Sequence, residues 1–192
     1  MRASMTILLL ALGGTALASE AGNQNQTLTR EGLALIPPFQ QALLAAVKTA
    51  MAQGGPVAAV QACQLQAPQI TAAHSQTPWT VGRTALKVRN PDNLPDAWEQ
   101  QVLEQFAAQA AAGQPLDNML RAEVVGDQFR LMKAIPTGEP CLACHGQKLD
   151  PALVTLIDER YPQDAARGFA LGELRGAFSL SRPLVDDHEP KQ

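Results

Sequence analysis

Residues 119–135 read MLRAEVVGDQFRLMKAI, and the way this stretch is divided decides the fold. Two runs of strand-forming composition, Met119 to Val125 and Gln128 to Ile135, flank the pair Gly126-Asp127. A glycine-first pair suits a two-residue hairpin turn, because glycine enters the positive-φ backbone such turns require. The spacing thus predicts two antiparallel neighbours. Further strands are expected at Trp79 to Val88, closed by the turn-rich Arg89-Asn90-Pro91-Asp92-Asn93, and at Leu171 to Leu184.

Upstream the period changes from two to between three and four. Leu33, Leu35, Ile36, Phe39, Leu43, Leu44, Val47 and Met51 form a helical pattern from Thr27 to Gln53, with a break or kink expected at Pro37-Pro38 and an end at Gly54-Gly55-Pro56. A second helix is expected from Pro56 towards His74, with Val57, Val60, Cys63, Ala67 and Ile70 on one face, which would turn Cys63 inward. Pro95, with Asp96 and Glu99, suits the start of a helix reaching about Ala112, and Pro151 to Tyr161 reads as another. Helices first and hairpin-connected strands later favour an α+β domain with an antiparallel sheet over a doubly wound parallel one.

The first residues, Met1 and Arg2 followed by an apolar run from Met5 to Leu17 and a small-residue close at Ala16-Leu17-Ala18, have the pattern of a secretory signal peptide. Residues 1–18 are expected to be removed, leaving residues 19–192 as one domain without a membrane span, periplasmic or secreted. The formal charge of −3 becomes one unit more negative without Arg2. No basic cluster offers a footprint for nucleic acid. Three cysteines in an exported chain cannot all pair within one molecule, so at least one has another use.

Cys141-Leu142-Ala143-Cys144-His145 supplies that use. Covalent attachment of a c-type haem needs two thiols two residues apart, one for each haem vinyl group, followed directly by the histidine that ligates iron. One covalent haem c is expected, held through Cys141 and Cys144 with His145 as proximal ligand. A zinc site from Cys63, Cys141, Cys144 and His145 is the competing arrangement, but adjacent Cys144 and His145 reach one tetrahedral ion awkwardly. A thiol–disulfide oxidoreductase would place the motif on a βαβ pattern, which the sequence lacks.

The second iron ligand is less defined. No methionine follows His145, and Met119 and Met132 on the hairpin read as core filling. Cys63 is either an inert buried thiol or an axial thiolate that would lower the iron's potential. His74 and His188 read as surface residues. Arg83, Lys87 and Arg89 alternate along the expected strand and are candidate contacts for haem propionates, against the plainer reading of a solvated face.

Longer runs carry a resemblance. They are Ala62-Cys63 with Ala67-Pro68, the segment Gly82-Arg83-Thr84-Ala85-Leu86-Lys87-Val88-Arg89-Asn90-Pro91, then Asn93, Pro95-Asp96 and Trp98-Glu99. Ala134-Ile135-Pro136 before the motif and Gly146, then Tyr161-Pro162, Gly168, Gly172, Arg175-Gly176-Ala177 and Ser179, complete the set. Together these resemble the PAS-like single-haem c-type sensor family, first described as a domain of unknown function in cyanobacteria and proteobacteria. The resemblance implies a PAS-like antiparallel sheet with N-terminal helices, and a haem with His145 on one side and a cysteine, here Cys63, on the other. The expected function is an exported haem-binding redox or small-ligand sensor module, relaying to a separate periplasmic redox or signalling protein. A periplasmic mono-haem electron-transfer cytochrome is the alternative. No nucleophile with its base is apparent, so an enzyme is not expected.

Overall fold

The computed structural model describes residues 14–184. The hairpin is present: β2 (Leu120–Val125) and β3 (Gln128–Pro136) pair antiparallel, with Val125 opposite Gln128 and Gly126 at φ 62. On its other side β3 pairs with β4 (Leu174–Pro183), and β4 pairs with β1 (Thr80–Thr84). The result is an open four-stranded antiparallel sheet in the order β1-β4-β3-β2.

The two central strands bury both faces, and their residues alternate accordingly. Phe129 and Leu131 of β3, with Phe178 and Leu180 of β4, meet Leu28, Ile36, Phe39 and Leu43 of the long helix α1 (Gly14–His74). Met132 and Ala134, with Ala177, face the other way onto Val102, Leu103 and Phe106 of α2 (Ala97–Ala111). Helices therefore cover both faces. Each of the fully buried Phe39, Phe129 and Leu103 contributes on the order of 1.5–3 kcal/mol by leaving water. Met119 and Met132 lie in the α2 cluster as core residues, and His74 rests against Phe39 with ring centroids 5.6 Å apart.

Two sequence expectations for α1 need correction. The break falls at Gly54-Gly55, where the sequence ends the first helix, and not also at Pro37-Pro38, which the helix runs through. Gly55 adopts φ 63, ψ −157, a backbone that only glycine enters at low cost, whereas proline's fixed φ is helical and packing of Ile36 and Phe39 holds the turn together. In addition, the stretch from Gly22 to His74 is long and apolar enough to cross a membrane by length and composition alone, contrary to the expectation that no later segment is. Its apolar residues Leu28, Ile36, Phe39 and Leu43 are used against the sheet. The apolar run at residues 5–13 and His188 lie outside the described residues.

α2 is capped as its first residues suggest. Asp96 accepts from the Glu99 amide and Glu99 from the Asp96 amide, both at 2.9 Å, while Pro95 stands just outside the helix. Glu99 also accepts from the Ser179 hydroxyl at 2.5 Å, tying α2 to β4.

β1 stops at Thr84, short of the expected Val88, because β4 ends its pairing at the irregularity where Gly176 sits. A Cβ at Gly176 would press on the Thr84 carbonyl oxygen and stand 2.9 Å from the Ala85 side chain. Gly176→Ala is expected to lower unfolding stability by about 1–3 kcal/mol, the usual cost of overpacking, measured by urea denaturation. An unchanged midpoint would show that the β1–β4 junction can widen freely.

Candidate functional site

The motif occupies a short helix, α3 (Glu139–His145), followed by α4 (Pro151–Arg160). Cys141 and Cys144 stand three residues apart on one side of α3, and both are free thiols. Cys144 packs beside Val60 of α1 and Leu153, Ile157 and Tyr161 of the α4 region. Gly146 ends the helix, its amide donating to the Leu142 carbonyl at 3.0 Å, and a Cβ there would stand 2.5 Å from that same oxygen.

Beyond Gly146 the motif is laced to residues 164–169. The Phe169 amide donates to the His145 carbonyl at 3.0 Å and the Gly168 amide to the Gly146 carbonyl at 3.1 Å. The His145 side chain completes this seam: its Nδ1 lies 2.7 Å from the Ala166 carbonyl oxygen. A carbonyl can only accept, so Nδ1 carries the proton and Nε2 holds the lone pair. Arg175 approaches Nε2 at 3.5 Å as a donor, which requires the same tautomer. Burial first, then the charges of Arg175 and Arg89, push the His145 pKa down to about 3, so the imidazole is neutral throughout the physiological range.

Arg89 occupies the centre of the seam. Its Nε donates to Asp164 at 3.1 Å, and one terminal nitrogen donates to the Cys144 carbonyl at 2.7 Å and to the Ala166 carbonyl at 3.4 Å. Asp164, with a side chain 1 % exposed, also accepts from the Ala166 amide at 3.0 Å and from Arg167 at 2.5 Å. Burial would raise the Asp164 pKa, but the bonds from Arg89 and Arg167 outweigh it and hold it below the ordinary value. The guanidinium of Arg89 is therefore taken up by protein groups, and the strand-face alternation that grouped it with Arg83 and Lys87 ends at Thr84.

Arg83, Lys87 and Arg175 differ from Arg89. None of the three has a carboxylate partner among the described residues. Lys87 and Arg175 stand over the Phe169 ring at 5.2 and 5.1 Å, and that ring lies edge-on to His145 at 6.4 Å. Burial and the neighbouring Arg83 and Arg89 bring the Arg175 pKa down to about 10, which leaves it charged at neutral pH.

Cys63 is exposed on α1, where the helical spacing had turned it inward. It borders a narrow groove with Leu43, Val47, Ala67, Ile70 and Arg83, so water reaches the thiol while surrounding protein still crowds it. That crowding raises its pKa, against the lowering effect of Arg83, Arg89 and Arg175. Two of these, Arg175 and Arg89, also act on His145, so Cys63 and His145 share cationic neighbours. Among the described residues no three His, Cys, Asp or Glu side chains gather as ligands for a bare metal ion, so the four-ligand zinc arrangement is not assembled.

Asp164, Ala166, Phe169 and Arg175 were not singled out as site residues from sequence. Arg175 had a signal, because it stands in the Arg175-Gly176-Ala177 run of the resemblance. The Ala166 contribution is a backbone carbonyl, which no side-chain pattern encodes.

These features define an α+β protein with an antiparallel sheet and a Cys-x-x-Cys-His helix whose histidine keeps its lone pair on Nε2, towards Arg175. The model of the Tll0287-like family matches residues 16–183, and the chain belongs to that family. No curated protein matches the chain. Among solved structures it is similar to the one described as the cyanobacterial heme-protein Tll0287, with 26% sequence identity and a TM-score of 0.60, over 82% of this chain and 95% of that one.

The donor chemistry fits a c-type haem. Two free thiols have the attachment spacing, a neutral imidazole offers Nε2, and three cations without acidic partners would suit two propionates.

Proposed function

We propose that the chain is an exported, single-haem c-type protein that acts as a redox or small-ligand sensor. Cys141 and Cys144 would hold haem by thioether bonds, His145 Nε2 would be the proximal ligand and Cys63 the distal one. Arg83, Lys87 and Arg175 would face the propionates. The bound group would supply one-electron chemistry and, where Cys63 gives way, a site for a small ligand at iron.

The observation that carries this reading is the His145 side chain, fixed through Nδ1 to a backbone carbonyl with Nε2 left to coordinate. Metal-bound histidines are held in this way. The similar structure is of a heme-protein, which agrees. Sensing is favoured over simple electron carriage because the two candidate ligands belong to different parts of the fold. Cys63 lies on the half of α1 that follows the Gly54-Gly55 kink, and His145 is laced to the segment that leads into β4. A change in ligation would thus free or tie one part against the other, which gives a two-state element. The PAS-like comparison, the periplasmic location and relay to a redox or signalling protein belong to this same proposal.

Absorption spectra of the purified protein, oxidised and reduced, with and without carbon monoxide, test it directly. Cys63→Ser is expected to change the ferric absorption and electron paramagnetic spectra while leaving haem attached. Spectra identical to those of the unsubstituted protein would remove Cys63 from the iron.

A further inference from the structure

A buried ion pair, Arg89 with Asp164, stands behind His145. Arg89 and Asp164 make no hydrogen bond to the thiols or the imidazole, yet between them they hold both backbone segments that the motif depends on. Arg89 donates to the Cys144 carbonyl on one segment and to the Ala166 carbonyl on the other. Asp164 fixes the Arg89 fork and accepts the Ala166 amide. The Ala165 amide, bonded to the Val88 carbonyl at 2.9 Å, ties the same segment to the residue just before Arg89.

We infer that Arg89 and Asp164 are positioning residues that set the tautomer and orientation of His145 through the Ala166 carbonyl. The inference rests on the haem reading only for its redox consequence; the tautomer is a property of the chain itself. The physical reason is the shape of the groups. A planar guanidinium can reach two carbonyls and a carboxylate at once, whereas an ammonium is a point charge without the fork. A carboxylate that accepts from Arg89, Arg167 and the Ala166 amide holds the 164–166 turn in one geometry. Because Nδ1–H stays bonded to Ala166, the imidazole is the more basic at Nε2, and a more basic ligand favours ferric over ferrous iron.

Two readouts on the full-length protein test this. Nitrogen–proton correlation spectra of His145 report the tautomer and the solvent exchange of Nδ1–H, with or without haem. The midpoint potential reports the effect at iron. Arg89→Gln and Asp164→Asn are expected to accelerate Nδ1–H exchange by roughly 2- to 10-fold, the factor that corresponds to weakening one hydrogen bond, and to raise the potential. Arg89→Lys keeps the charge opposite Asp164 and is expected to recover stability but not slow exchange, which separates positioning from charge. Arg182→Gln, at the surface pair with Glu31, is the control and should change neither readout. Folded Arg89→Lys and Asp164→Asn proteins with the unsubstituted exchange rate and potential would overturn the inference. An unsubstituted protein that carries no haem would instead overturn the haem reading, and the exchange measurement would still decide the positioning role.

Discussion

Replacement of both Cys141 and Cys144 by alanine is expected to abolish haem retention on a denaturing gel completely. Thioether bonds survive unfolding, whereas coordination by His145 and Cys63 does not, so a gel stained for haem peroxidase activity reads only the covalent link. Either single variant keeps one thiol and should still stain, with the reduced absorption band displaced because one vinyl group remains unreacted. The loss should reflect attachment and not folding. Both cysteines are partly exposed, and only Cys144 packs against a buried cluster, formed by Val60, Leu153, Ile157 and Tyr161. Removing one sulfur from that edge costs little beside a Leu-sized core deletion of 2–5 kcal/mol, so the far-ultraviolet circular dichroism of the double variant should keep its helix and strand features, on the order of the unsubstituted signal. Staining that persists in the double variant would show that haem, if bound, is not held through these thiols.

The second large effect is expected at Asp164. Asp164→Ala leaves Arg89, with a side chain only 10 % exposed, facing an apolar methyl group. Removing one partner of a buried ion pair is worth about 3–5 kcal/mol, because the remaining charge is desolvated and uncompensated. The figure exceeds that for a surface pair by severalfold, as comparison with Arg182→Gln should show, since exposed pairs contribute about 0–1 kcal/mol. Urea unfolding measures both. The effect has a defined pH dependence. The folded Asp164 pKa lies below its ordinary value, so its stabilisation is fully present above the unfolded carboxylate pKa of about 3.9 and is lost as pH falls through the lower folded value. The difference between the unsubstituted protein and Asp164→Ala should therefore be constant from neutral pH down to about pH 5 and shrink below about pH 4. A difference that grows on acidification would mean that the carboxyl is not held in its charged form.

The site divides into residues that announce themselves and residues that act from a distance in sequence. Cys141, Cys144 and His145 are legible because attachment chemistry demands fixed residue types at fixed local spacing. Cys63 was legible as an unpaired cysteine, but its orientation was not. The helical face containing Val60 and Ala67 turns inward only in part, and the exposed thiol borders a groove closed by Arg83 from a different element. Arg89 was selected as a cation on a strand face and is instead the donor that joins the motif to residues 164–166. That role depends on a salt bridge spanning 75 residues of sequence. No local pattern reports such a contact.

By itself, the sequence determined the hairpin, the helical periods, the antiparallel α+β class and the Cys-x-x-Cys-His spacing. Each of these follows from interactions between residues a few positions apart: the Gly126 turn, the alternation in β3, and the Asp96–Glu99 cap. Tertiary structure alone decided that α1 runs unbroken through Pro37-Pro38, which cation is committed to protein, and how His145 is aimed. Those outcomes depend on packing and on backbone groups brought together from distant segments. The helix stays continuous at Pro37-Pro38 because packing of Ile36 and Phe39 on the sheet outweighs the helix-breaking tendency of these prolines, while the break at Gly54-Gly55 falls where the sequence ends the first helix. The aim of His145 depends on a carbonyl at Ala166, and every residue has a carbonyl; only the fold selects this one.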